Sequence, residues 1–287
     1  MSIEIFQPKT LDEALGLRKS NTKATLLAGG TDLIVRMNKG SDIDGDIIDL
    51  SKLKELQGIV VHGDEVKVGS MVTFTQIEDS EILKEHVSIL TQAASAVGSP
   101  QIRNKGTIGG NLCNANPAAD LIPPLVCLEA KVELQSLDEK GKIKKRHVAL
   151  EDFIVGRGWV SLEKNELLTW IIFSIPTKDA SMNFKKIGRR NALAIARING
   201  ACIVRISDNK ITDIKLSSGA MASAPGRLTI VEEYLKGKEL NSKNLKEAGE
   251  LASEHALKYV SGRPSKAYKL PVLSKFVGAL ITEVCNQ

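Results

Sequence analysis

Long apolar runs, paired cysteines and aromatic residues are all scarce in this sequence, and each scarcity removes a class of function. No apolar stretch approaches the roughly 20 residues that cross a bilayer, so no membrane span is expected. The four cysteines, Cys113, Cys127, Cys202 and Cys285, are scattered. None forms a Cys-x-x-Cys pair, which argues against a zinc site or an iron–sulfur cluster built by this chain alone and against a disulfide framework. Aromatic residues make up only 4%, so the core is aliphatic. The densest basic stretch, Lys142 to Arg146, has no aromatics interleaved and reads as a solvated turn and strand, not a nucleic-acid patch. The opening Met1-Ser2-Ile3-Glu4-Ile5 lacks a basic region followed by an apolar one, and a cytoplasmic protein is expected.

What is present is ordinary in amount: 43% hydrophobic and 25% charged residues over 287 positions. That is enough to bury a sizeable core, in two domains or one domain with large lobes. The net charge of +5 is spread along the chain and suits an acidic partner or an anionic ligand.

Thr10-Leu11-Asp12-Glu13 reads as a capping box opening a helix. Residues 24–28 read as a short buried strand, broken by Gly29-Gly30, with Thr31 or Asp32 capping a short helix to about Asn38. Residues 46–50 form another strand, and 59–62 with 65–68 a hairpin around Gly63-Asp64. A helical stretch covers 81–97. Residues 98–120 are rich in glycine, proline and asparagine; so long an irregular segment is usually functional. Strands return at 131–137 and 143–148, and a mixed stretch leads to 166–175. Past 177 come strands at 197–206 and 211–218, joined at Asp208-Asn209, then helices near 225–236, 242–260 and 265–285. Strands followed by a run of helices indicate a separate α+β domain. Trp159 and Trp170 are expected to be packing residues.

Two glycine motifs carry the chemistry. The first is the strand-to-helix turn Gly29-Gly30-Thr31-Asp32. Glycine permits a sharp turn and close approach of a ligand to the backbone, and consecutive amides there converge on an anion such as a pyrophosphate. It is neither Gly-x-Gly-x-x-Gly nor a Walker motif, so a Rossmann site and a P-loop ATPase are unsupported. The second is Gly106-Thr107-Ile108-Gly109-Gly110-Asn111-Leu112-Cys113-Asn114. Thr107, Asn111 and Asn114 are able to donate to phosphate or ribityl oxygens, and Asp120 downstream to accept from a hydroxyl. Two amide-rich segments about 75 residues apart, counted on the sequence, suit opposite sides of one extended dinucleotide.

Leu27-Ala28-Gly29-Gly30-Thr31-Asp32-Leu33 together with Thr107-Ile108-Gly109-Gly110-Asn111 resembles the FAD-binding subunit of molybdenum hydroxylases, the family of xanthine, carbon monoxide and nicotinate dehydrogenases. The resemblance runs nearly the whole chain: Phe6 to Ala14, Gly98 to Asn104, Gly188-Arg189-Arg190 with Ala194-Ile195-Ala196, and Ser265 to Lys269 fit it too. It implies an α+β protein: a PCMH-type, vanillyl-alcohol-oxidase-like FAD domain over 1–176, with two α/β lobes at about 1–57 and 58–176, and a C-terminal α+β domain over 177–287. It implies that Leu27, Ala28, Gly29, Gly30, Thr31, Asp32 and Leu33 form one wall around the FAD pyrophosphate, and Thr107, Gly110, Asn111 and Asn114 the other. By the same resemblance Asp120 holds the ribityl or flavin side, Ile102 touches the adenine end, and Leu168 and Lys185 lie near the isoalloxazine ring. A lysine there favours reduced flavin, which gains negative charge near N1.

The implied activity is a relay. A molybdopterin-binding large subunit hydroxylates the substrate, a small subunit carries [2Fe-2S] clusters, and electrons pass through this chain's FAD to NAD+ or another acceptor. The implied assembly is a dimer of heterotrimers, with molybdopterin and iron–sulfur clusters only on partner subunits. No catalytic residue and no metal ligand is nominated here. None of His62, His86, His147 and His255 lies in a glycine motif, so the FAD is expected to be non-covalent. The alternatives are a self-contained reductase related to the UDP-N-acetylenolpyruvoylglucosamine enzyme and a non-catalytic nucleotide-binding module.

Overall fold

Short parallel strands open the chain. In the computed structural model, which describes residues 3–40, 43, 45–190 and 193–284, they are β1 (Ile5–Phe6), β2 (Thr25–Leu27) and β3 (Ile47–Asp49), with α1 (Leu11–Ser20) and α2 (Leu33–Asn38) between them. β3 lies between β1 and β2 and runs parallel to both. The Thr10 hydroxyl accepts from the Glu13 N–H at 3.2 Å and so caps α1. The Glu13 carboxylate accepts from the Lys9 N–H at 2.7 Å, so the return bond of the capping box closes one residue early. β2, expected to be buried, is only half-buried, because it forms an edge of its sheet. Cys285, the last residue of the 265–285 helix reading, and Met1-Ser2 lie outside the described residues.

The hairpin forms where Gly63-Asp64 places it, from β4 (Ile59–His62) and β5 (Glu65–Gly69), with Gly63 at φ +59°. Next come α3 (Phe74–Asp79), α4 (Glu81–His86) and α5 (Ser88–Ser95). The single helix expected over 81–97 is thus two, parted at Val87 with φ −146°. The break lets α4 turn Leu83 inward and α5 turn Ile89, Leu90, Ala93 and Ala94 inward. The segment read as irregular holds α6 (Pro100–Arg103) and α7 (Ile108–Asn114), followed by the buried α8 (Ile122–Cys127). Pro123 and Pro124 sit in the first turn of α8, where a missing N–H leaves no helical bond unmade.

The remaining elements are β6 (Lys131–Leu137), β7 (Ile143–Ala149), α9 (Leu150–Phe153), β8 (Ile154–Gly156), β9 (Trp159–Val160), β10 (Leu167–Ser174), β11 (Ala180–Ile187), β12 (Ile198–Ser207), β13 (Lys210–Gly219), α10 (Thr229–Leu235), α11 (Ser242–Val260) and α12 (Lys266–Val284). Among the described residues no helix is long and apolar enough to cross a membrane.

The chain forms two compact units. The first draws on residues 1–77, 100–115 and 129–174. It holds the parallel sheet and an antiparallel sheet of order β4-β5-β10-β6-β7. β10 is central, and Leu167, Leu168, Thr169, Ile171, Ile172 and Phe173 are buried on its two faces. β7 is an edge with Lys144 and Lys145 in solvent, a charge pattern that discourages edge-to-edge pairing. Trp159, expected to pack, is 66% exposed; among the described residues its strand β9 pairs only with the three-residue β8, which offers no broad face to cover an indole.

The second unit draws on residues 78–99, 116–128 and 175–287. Its sheet is an antiparallel meander, β11-β12-β13. Asp208 and Asn209, at φ +49° and +59°, make the tight turn between the last two strands, the conformation that asparagine and aspartate tolerate best. α10 and α12 pack over this sheet and α11 packs on both helices, around a core that includes Cys202, Val204, Leu216, Leu273, Phe276 and Leu280. α11 and α12 approach closely at Gly249: a Cβ there would lie 1.9 Å from the Ser274 carbonyl oxygen. Backbone cannot rotate aside, so Gly249→Val is expected to exceed the about 1–3 kcal/mol of ordinary overpacking. Urea denaturation of the variant measures this, and a loss below 1 kcal/mol (the low end of that range) would contradict the packing.

Candidate functional site

The two glycine segments lie side by side in the first unit. Gly29 follows β2, and Gly30 turns the chain at φ +73° into α2. A Cβ at Gly29 would lie 1.8 Å from the Lys105 carbonyl oxygen and 3.0 Å from the Gly106 Cα. One at Gly110 would lie 3.6 Å from the Ala28 Cβ. Positions far apart in sequence therefore form one cradle whose walls are main chain, and bare glycine is what allows the approach.

Thr107 begins α7: its hydroxyl accepts from the Gly110 N–H at 3.1 Å. The oxygen is thus used in capping, which leaves the hydroxyl proton as the donor. A segment that the sequence reading did not single out, Ser70 to Phe74, braces the second loop. The Gly109 N–H donates to the Ser70 carbonyl at 2.8 Å, Ile108 to Val72 at 2.9 Å, and Phe74 to the Gly106 carbonyl at 3.1 Å. The only signal in the sequence was a glycine-serine pair closing the β5 hairpin strand. Gly106 and Gly109 fit because the Phe74 ring and Ser70 occupy the space a Cβ would need, at 2.5 and 2.6 Å.

Gly29, Gly30, Thr31 and Leu33 are half-buried and Asp32 is exposed, while Gly110, Asn111 and Asn114 are half-buried. The Asn111 side-chain oxygen is buried and, among the described residues, has no hydrogen-bond donor. A buried acceptor left so costs on the order of 1–3 kcal/mol and fits a ligand hydroxyl or an enclosed water. Ile102, on α6, is 37% exposed, and Leu168, on β10 beside a bulge, is 4% exposed. The residues in this unit thus meet the needs of a dinucleotide: close main chain for the diphosphate, side-chain amides for hydroxyls, and an exposed apolar side chain.

Asp120 and Lys185 belong to the second unit. Asp120 is 6% exposed and accepts from the Asn199 side-chain amide at 2.8 Å and from the Lys186 ammonium at 2.5 Å. Lys186 also donates to the Ala96 carbonyl at 2.8 Å. Burial pushes the Asp120 carboxyl above its ordinary value, against the pull of Lys186 and the two hydrogen bonds. Lys185 pairs instead with Glu283 of α12. Consecutive side chains of β11 point to opposite faces, so only one of the two lysines is able to meet Asp120, and it is Lys186. The sequence reading missed Lys186 and Asn199; reading 180–187 as a strand was the signal that would have separated the two lysines.

Residues 1–177 match the family model described as the FAD binding domain in molybdopterin dehydrogenase. Residues 183–284 match the CO dehydrogenase flavoprotein C-terminal domain. The nicotinate dehydrogenase FAD-subunit of Eubacterium barkeri is 34% identical, over 99% of this chain and 96% of the relative. The xanthine dehydrogenase FAD-binding subunit of Escherichia coli O157:H7 is 33% identical, over 96% of this chain and 93% of the relative. A chain of the carbon monoxide dehydrogenase of Hydrogenophaga pseudoflava, solved in a form that lacks the Mo-pyranopterin moiety of its molybdenum cofactor, superposes with a TM-score of 0.90 at 25% identity, over 100% of this chain and 98% of that one. The fold is thus the α+β, PCMH-type architecture that the motifs implied, and the chain belongs to the family of FAD-binding subunits of molybdenum hydroxylases.

Proposed function

We propose that this chain holds FAD non-covalently and carries electrons from the [2Fe-2S] clusters of a small partner subunit to NAD+ or another acceptor, while a molybdopterin-binding large subunit hydroxylates the substrate. The observation that carries the reading is the meeting of the two glycine segments in one main-chain cradle. Gly29, Gly30, Thr31 and Asp32 present amides to one side of the diphosphate, with Leu27, Ala28 and Leu33 supporting the turn. Thr107, Gly110, Asn111 and Asn114 serve the other side. Ile102 lies against the adenine, Leu168 and Lys185 serve the isoalloxazine, and Asp120 accepts from the ribityl or flavin side. FAD, when bound, supplies the ability to take one electron or two, which joins one-electron clusters to a two-electron acceptor. The functional division is proposed as residues 1–176 for flavin binding and 177–287 for the C-terminal domain, working in a cytoplasmic dimer of heterotrimers.

The test is direct. Purified chain is expected to carry one yellow flavin, released by denaturation without a covalent adduct, and to co-purify with two subunits encoded beside it. A colourless chain that takes up no FAD would sink the reading. A flavin reduced by a dissociable substrate with no partner subunit would favour the self-contained reductase. Lys185→Met is expected to lower the flavin potential while FAD stays bound; an unchanged potential would remove Lys185 from the site.

A further inference from the structure

The loop between β13 and α10 encloses a pocket that the flavin reading does not use. Its ends are tied: the Ser217 hydroxyl donates to the Gly226 carbonyl at 3.0 Å, and Ser217 bridges Arg227 across the neck. Two cations hold it from outside. Arg263 donates to the Met221 carbonyl at 3.1 Å, and the buried Lys269 donates to the Ala220 carbonyl. Compact loops with closed ends and a filled interior are often functional, and committing a buried lysine to a loop carbonyl is a costly way to fix one.

Inside lies a cavity of about 170 Å³ whose other wall is α11. Met221 and Leu273 give it an apolar floor, and His255 and Tyr259 line its side. Burial, with Lys258 nearby, pushes the His255 imidazole below its ordinary value, toward the neutral form. Ser218 lines the cavity too, and its buried hydroxyl has no hydrogen-bond partner among the described residues. The cavity's one guanidinium, Arg227, is matched by the Glu232 carboxylate, its Nε and one terminal nitrogen bonding at 3.0 and 2.6 Å. The lining therefore offers apolar surface, an unsatisfied hydroxyl and a neutral imidazole, with its positive charge already countered. A dry cavity of roughly 150 Å³ is large enough for benzene.

We propose that this pocket is a binding site for a small uncharged molecule with an aromatic or compact apolar body and a single hydroxyl or carbonyl group. The full chain, supplied with FAD, is titrated with phenol while the His255 ring resonance, assigned by its loss in His255→Gln, is followed by NMR. Benzoate is the charged comparison. Saturable phenol binding that moves the His255 resonance, with benzoate at least about tenfold weaker, is the expected result. Ser218→Ala is expected to weaken phenol about threefold to tenfold, the range of one hydrogen bond. Ser223→Phe, placed on the exposed lip so that folding is undisturbed, is expected to abolish binding. No saturable binding, benzoate tighter than phenol, or phenol affinity unchanged in both variants would overturn the proposal.

Discussion

Gly29→Ala is expected to strip the chain of FAD. The added methyl is the smallest possible, yet its carbon would fall 1.8 Å from the Lys105 carbonyl oxygen. No side-chain rotation relieves a clash with main chain, so the two segments must part, and the diphosphate loses both sets of amides at once. An affinity loss of at least about 100-fold follows, or about 2.7 kcal/mol at roughly 1.4 kcal/mol per tenfold. Gly110→Ala provides the contrast. Its Cβ would meet the Thr107 hydroxyl at 2.9 Å and the Ala28 methyl at 3.6 Å, and a hydroxyl is able to shift by a few tenths of an ångström. That variant is expected to retain more flavin than Gly29→Ala. Flavin absorbance per mole of purified chain measures both. Full flavin content in Gly29→Ala, with an unchanged melting temperature, would mean that the cradle is not the site.

Lys186→Met is expected to produce the largest loss of stability of any single charge removal in the second unit. The side chains of Lys186 and Asp120 are only 12% and 7% exposed, and removing one partner of a buried pair costs about 3–5 kcal/mol. The sign of the pH dependence follows from Asp120. Its carboxyl is already held above the ordinary range by burial, with Lys186 pulling it down; without Lys186 it rises further. A carboxyl raised in the folded state gives its full stabilising contribution below the unfolded value, near about 4, and loses it as pH climbs through the folded value. The deficit of the variant should therefore be greatest at neutral pH and shrink on acidification. Lys185→Met should cost no more than about 1 kcal/mol, since it breaks a partly exposed pair. Urea denaturation at neutral and mildly acid pH separates the two lysines. Equal losses for both, or a deficit that grows with acid, would contradict the buried pair.

The exchange of roles between neighbouring lysines shows where the sequence was legible. Strongly patterned elements were readable: the β4–β5 hairpin from Gly63-Asp64, the β12–β13 turn from Asp208-Asn209, and the long amphipathic α11 and α12. β11 was overlooked: Ala180, Met182 and Phe184 alternate with Ser181, Asn183 and Lys185, but the run is short and meets Lys186 where the alternation calls for an apolar residue. It stands in its sheet through main-chain pairing with β12 and through the Asn183 amide, which donates to the Leu280 carbonyl at 3.1 Å. α7 was hidden for a different reason. Gly109 and Gly110 disfavour helix by about 1 kcal/mol each, and only tertiary closeness to Ser70 and Ala28 makes them the residues required. The glycine motifs themselves were plain in the sequence. That they touch, and that Ser70 to Phe74 braces them, depends on contacts between distant segments that no local pattern records.

The second unit is assembled from three separated stretches, the first two lying inside the span that also supplies the first unit. On the ribosome, α5 and α8 emerge long before the strands against which they finally bury apolar surface, β11 for α5 and β12 and β13 for α8. Until translation nears completion, Ile89, Leu90, Leu125 and Val126 have no permanent cover, which makes the nascent chain a customer for holding chaperones. A premature stop after β10 would leave these residues without the strands that shield them, so the truncated product should aggregate rather than persist as a half-sized flavoprotein.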